Sequence, residues 1–131
     1  MIGLDTNVIV RYIMQDDLKQ AALATSAIER LSADEPGHVA IVTVVELGWV
    51  LDSCYDLTRA QIGDAIEALL RSRELIVDCA DSVSKALRRF RQGKADLADC
   101  LIAQIDADAG CTDTLTFDRD AARHAGMRLI S

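Results

Sequence analysis

Apolar positions along the chain fall into short blocks that switch repeatedly between strand-like runs and helical spacing. The run Met1-Ile2-Gly3-Leu4 stops at Asp5, and a helical pattern follows at once with Val8, Ile9, Tyr12 and Ile13, through about Met14. Asp16-Asp17 can start a second helix carrying Leu18, Ala21, Ala22, Thr25, Ile28 and Leu31 on one face. Asp34-Glu35-Pro36-Gly37 is a turn signal. Val39 to Val42 then predicts a strand, and Thr43 to Leu51 a helix that is apolar nearly all round and hence buried.

Thr58 and Gln61 have capping-box spacing, and Ile62, Ile66, Leu69 and Leu70 continue at helical intervals. Leu75-Ile76-Val77 predicts a third strand. A helix from Ser82 to Arg91 carries a basic face (Lys85, Arg88, Arg89, Arg91) and stops at Gly93. Asp96 to Ala109 predicts another helix, striped by Leu97, Leu101 and Ile105, ending at Gly110. A strand through Leu115, a short helix from Asp118 to about Ala125 and a last strand, Arg128-Leu129-Ile130, complete the chain. Strands alternating with helices imply an α/β fold with a parallel sheet covered by helices on both faces.

With 131 residues the chain suits one domain, residues 1–131, large enough to bury roughly two thirds of its unfolded surface. No apolar run reaches the ~18 residues of a membrane span, and the start lacks the pattern of a signal peptide, so a cytoplasmic location is expected. Cys54, Cys79, Cys100 and Cys111 have no C-x-x-C pairing or neighbouring histidine spacing, and read as buried free thiols. The net charge of −7 argues against a nucleic-acid partner only if the acids are spread over the surface.

Several acids follow strand ends. Asp5, Glu46 and Asp118 stand where a helix also favours a cap or an acidic first turn, so each is compatible with a purely structural role; Thr43 and Glu46 have capping-box spacing. Glu46 fits that role least, being the only charge between Thr43 and Leu51. Asp96 and Asp99 share a helix face distinct from the leucine stripe, with Asp106 on the same side. The surroundings of Asp99 (Ala98, Cys100, Leu101, Ile102) are unusually apolar for a surface acid. Asp78 and Asp81 serve adequately as caps for the helix from Ser82. Gathered at one edge, Asp5, Glu46, Asp99 and Asp118 would repel one another unless a cation were present. An all-oxygen set suits Mg²⁺ or Mn²⁺, and a hydrated divalent ion can polarise a phosphate and supply hydroxide. Metal-assisted phosphodiester hydrolysis is the reaction class these residues favour.

The N-terminal strand into Asp5-Thr6-Asn7, the isolated Glu46 ahead of Trp49, the stretch Ala95-Asp96-Leu97-Ala98-Asp99-Cys100-Leu101-Ile102-Ala103, and Leu115-Thr116-Phe117-Asp118 stand in a specific order. In these segments the chain resembles the PIN-domain ribonucleases, and within them the VapC-type toxins of bacterial toxin–antitoxin pairs. The resemblance implies a sheet of about five short strands in the order 3-2-1-4-5. It implies a catalytic metal site at Asp5, Glu46, Asp99 and Asp118 with Mg²⁺ or Mn²⁺, and Asp96 as a further acid beside or on the metal. Thr6, Asn7 and Thr116 match small polar residues that orient the acids or their waters. RNA is the implied substrate, a VapB-type antitoxin the implied partner, and a homodimer the implied assembly. Arg11, one turn beyond Asn7, is the foremost candidate for contact with RNA, with Lys85, Arg88, Arg89, Arg91, Lys94 and Arg119 as others.

An aspartyl-nucleophile phosphatase would need a second acid at position 7, where Asn7 stands, and a phosphoacceptor domain would need paired acids after the first strand. The competing class is a module of the same fold that binds RNA or a partner without turnover.

Overall fold

A computed structural model describes residues 1–131. Seven helices alternate with five short strands in the order β1 (Ile2–Gly3), α1 (Thr6–Met14), α2 (Leu18–Glu29), β2 (Gly37–Val39), α3 (Ile41–Ser53), α4 (Arg59–Arg71), β3 (Leu75–Val77), α5 (Ala80–Gln92), α6 (Leu97–Asp108), β4 (Leu115–Thr116), α7 (Arg119–His124) and β5 (Arg128–Leu129). No helix is long and apolar enough to cross a membrane.

The strands pair in parallel, as helix-linked strands must, but they do not make one five-stranded sheet. β1, β2 and β3 form one sheet with β2 in the middle, and β4 and β5 form a second. The expected order 3-2-1-4-5 is thus corrected at one junction: β1 and β4 are not hydrogen-bonded to each other. Both strands are only two residues long. The backbone of β1 is spent on the β2 segment (Ile2 N to Pro36 O, 2.9 Å; Leu4 N to His38 O, 3.0 Å), and β5 donates to β4 (Ile130 N to Thr116 O, 2.9 Å). Ile2 and Leu115 remain exposed.

One apolar cluster joins β2, β3 and six of the helices, including Ile9, Val10, Val39, Leu47, Leu51, Ile66, Val83, Phe90, Leu101 and Ala121. α1 packs on α2 and α3, α3 on α4 and α6, and α5 lies between α4 and α6. Helical periodicity predicts most of these elements because each buries a stripe. Thr58 and Gln61 form both hydrogen bonds of the capping box (2.9 and 3.1 Å). On α2 the buried stripe is narrower than expected: Ala21 and Ala24 are buried, while Leu18 is exposed.

Two expectations about the middle of the chain change. β2 starts and ends earlier than expected, and α3 begins at Ile41 instead of Thr43, which places Thr43 inside the helix and leaves no capping box with Glu46. The cause lies at the end of β3. Cys79 adopts a left-handed conformation (φ 53°) at the start of α5, and the preceding Asp78 accepts from the Ile41 N–H at 3.3 Å. Asp78 therefore caps α3 across the sheet and not the helix that follows it. The cysteines also differ: only Cys100 is buried, and Cys54, Cys79 and Cys111 are exposed.

Loss of a side-chain cap costs about 1 kcal/mol. Asp78→Ala should destabilise the protein by about that amount in urea unfolding, and Asp81→Ala, in the exposed first turn of α5, by less. Equal effects would show that the bond from Asp78 to Ile41 contributes nothing specific.

Candidate functional site

Four of the acids singled out in the sequence sit at helix N-termini, where unpaired backbone N–H groups need acceptors. Asp5 is the N-cap of α1 and accepts from Thr6 N at 2.9 Å. Asp96 is the N-cap of α6 and accepts from the N–H of Asp99 at 2.8 Å. Asp118 is the N-cap of α7 and accepts from Asp120 N (2.8 Å) and Ala121 N (3.1 Å). Asp99 occupies the first turn of α6. The structural and chemical roles of these acids are compatible, because a capping carboxylate retains free lone pairs.

Asp96 and Asp118 both act on Asp99. The Asp99 carboxyl is half-buried, and its pKa is pushed above the ordinary range, first by burial and then by the charges of Asp96 and Asp118. Thr116 accepts from the Asp118 N–H at 3.0 Å and so fixes the turn that presents Asp118.

Glu46 reaches this region from α3. That helix is not buried all round: Val42, Glu46 and Trp49 line an exposed face, with Trp49 63% and Val42 73% exposed. The charge on Glu46 therefore faces solvent, and the conflict with burial that its sequence context suggests does not arise. Glu46 and Asp96 line the same cavity of about 450 Å³, floored by apolar side chains. The two helices approach closely at Gly48, where an added Cβ would lie 2.8 Å from a Leu97 methyl.

Asp5 follows β1, whose free edge does not pair with β4. Thr6 is buried beneath it and Asn7 is exposed. No three His, Cys, Asp or Glu side chains approach closely enough to enclose a metal ion. The donor chemistry nevertheless fits Mg²⁺ or Mn²⁺, because Mg²⁺ keeps several waters and is commonly held by only one or two carboxylates. Asp99 with Asp96 or Asp118 could hold such an ion directly, with the remaining acids reached through water.

Arg11 is committed elsewhere. Its guanidinium donates to Gln20 (2.7 Å), Tyr55 (2.8 Å) and Asp16 (3.3 Å), and Tyr55 donates to Asp16 at 2.7 Å. The Tyr55 hydrogen bond holds the Asp16 carboxyl below its ordinary pKa. Arg91 is likewise absorbed, pairing with Asp64 (3.0 Å) and Glu67 (3.3 Å) on α4. A residue the sequence does not single out, Arg59, lies over the Phe90 ring at 4.1 Å and donates to the carbonyls of Phe90 and Ala95, each at 2.6 Å. It ties α4 to the turn that presents Asp96. Its only sequence signal is its place after the cap Thr58.

The raised pKa of Asp99 has a thermodynamic consequence. Its folded-state pKa exceeds the unfolded one, so ionised Asp99 opposes folding above both values, and this opposition vanishes below the ordinary carboxylate range, about pH 4. In metal-free buffer Asp99→Asn should raise Tm at neutral pH, with the gain shrinking toward about pH 3. A Tm at neutral pH no higher than wild type would contradict the crowding of charges.

Compared with known proteins, the chain matches the PIN domain family over residues 2–127. No curated protein matches it.

Proposed function

Because the chain belongs to the PIN domain family, whose members are generally nucleases, we propose that it is a Mg²⁺- or Mn²⁺-dependent ribonuclease and the toxin of a VapBC-type toxin–antitoxin pair. The observation that carries the ribonuclease reading is the convergence of Asp96, Asp99 and Asp118 at the starts of α6 and α7, with Glu46 sharing a cavity with Asp96. The toxin reading rests on the resemblance of the Asp5, Glu46, Asp96–Asp99 and Asp118 segments to those toxins. It carries with it a VapB-type antitoxin, a homodimer and action in the cytoplasm.

In this reading Asp99, Asp118, Asp5 and Glu46 would hold the metal and its waters, and Asp96 supports Asp99 by accepting from the Asp99 backbone N–H. When bound, the ion polarises the scissile phosphate and lowers the pKa of an attacking water. The chain's own contribution is position. The cap on α6 fixes Asp96 against Asp99, and Thr116 fixes the turn of Asp118. Thr6 and Asn7 flank Asp5 and orient it or its waters. Arg59 holds the Ala95 carbonyl, and with it the approach to Asp96.

A second reading, a PIN-fold module that binds RNA or a partner without turnover, is favoured by one observation: no three acids enclose a metal. Cleavage of an RNA pool by the purified protein in Mg²⁺ or Mn²⁺ separates the two. The ribonuclease reading expects cleavage that EDTA abolishes, and a loss of at least about 100-fold in Asp5→Ala and Asp99→Asn, the upper end of what outer-shell changes cost at metal sites. Circular dichroism would confirm that both variants stay folded. Metal-independent cleavage unchanged in both variants would defeat the mechanism, and RNA binding without turnover would favour the silent module. A toxin role further expects growth arrest on expression, relieved by a co-expressed partner encoded beside it.

A further inference from the structure

The chain carries 21 acids against 14 lysines and arginines, yet one cleft of about 480 Å³ is lined by no acid and no apolar side chain. Its walls are Lys85, Arg88, Arg89 and Gln92 from α5, Gly93 after it, Gln104 from α6 and His124 from α7. We propose that this cleft binds backbone phosphates of the RNA substrate beside the carboxylate edge. The inference rests on the ribonuclease reading for the identity of its ligand.

The sequence pattern places Lys85, Arg88, Arg89 and Gln92 at helical intervals, so they share one face of α5. The cations of α5 then divide. Arg91 turns to α4 and is neutralised by Asp64 and Glu67, and Lys85 pairs with Asp108 at 3.3 Å. Arg88 and Arg89 have no carboxylate partner, although carboxylates outnumber cations overall. Arg89 is also seated. Its guanidinium fills the space that a Cβ at Gly126 would need, and Gly126 has a positive φ of 77°, so the backbone there leaves room for the cation. Gln92 and His124 add groups able to donate hydrogen bonds, while Gln104 donates to Asp108 at 3.0 Å, the carboxylate that also pairs with Lys85.

The position suits a nucleic acid strand running to the site. Gly93, which lines the cleft, is three residues before Asp96, at most about 11 Å away along an extended chain. A carboxylate edge cannot itself attract a polyanion, and a metal neutralises only the phosphate it touches. Cations nearby, unpaired and exposed, supply the counterion release that drives binding to a phosphate backbone.

The test is fluorescence anisotropy of a short, labelled single-stranded RNA in EDTA, where binding is read without turnover. The Arg88→Ala/Arg89→Ala double variant should bind roughly tenfold more weakly at about 50 mM salt. Its plot of log affinity against log salt should be shallower by about 1.4, two contacts at about 0.7 each. Arg30→Ala/Arg73→Ala, which removes the same charge from exposed arginines outside the cleft, should bind nearly as wild type. With Mg²⁺ or Mn²⁺ present, the first variant should raise KM and leave kcat nearly unchanged. The cleft assignment is overturned if the first variant keeps wild-type affinity and slope, if the control pair loses as much, or if the wild type binds no RNA. Cleft-dependent RNA binding in a wild type that never cleaves would instead sink the ribonuclease reading and leave the cleft standing.

Discussion

The half-buried carboxyl of Asp99 at the start of α6 is the constraint on which the acidic edge depends. Burial first, and then the charges of Asp96 and Asp118, raise its pKa, so its ionised form raises the free energy of the fold. The chain offsets this locally by making Asp96 and Asp118 the N-caps of their helices, and Asp5 that of α1. Each such carboxylate meets backbone N–H groups and the positive end of a helix, equivalent to about half a unit charge. The carboxylate of Asp99 caps no helix, and its pKa is raised.

The same charge economy governs the rest of the surface. Arg11 and Arg91, which look free in the sequence, are drawn into clusters with Asp16 and with Asp64 and Glu67. What remains unpaired on α5 faces away from those acids and lines one cleft with His124. A net charge of −7 thus describes the chain poorly, since the acids and the free cations lie in different places. Arg59, on the other hand, spends its charge inside, on two carbonyls and an aromatic face, and holds the α5–α6 turn to α4.

Local signals in the sequence carried most of the secondary structure. The Thr58–Gln61 box, the stripe of Leu97 and Leu101, and the acids opening α1, α6 and α7 are all short-range patterns, and the elements appear where those patterns place them. What failed was long-range. The start of α3 is set by Asp78, 37 residues away, so the threonine spacing at Thr43 pointed to the wrong cap. Hydrophobicity alone could not show that Val42 and Trp49 flank Glu46 on an open face, because periodicity fixes which residues share a face and not what covers it. Cys54, Cys79 and Cys111 were misjudged as buried for the same reason. The break between β1 and β4 had no sequence signal at all, since two-residue strands pair according to where the helices leave them. At the proposed site the residue types, their order and the capping positions of Asp5 and Asp118 are legible in the sequence.

That break has a mechanical meaning. No backbone hydrogen bond joins residues 112–131 to the rest of the chain, and the segment is attached by the bond from Thr114 to Asp106 and by the packing of Ala121, Ala125 and Met127. Its position therefore depends on close-packed side chains, among them the Arg89 guanidinium seated against Gly126. The segment carries Asp118 on one side of the acidic edge and His124 in the basic cleft. The packing of Ala121, Ala125 and Met127 thus fixes the acidic edge and the cleft together, and a cavity opened beneath this segment would disturb both.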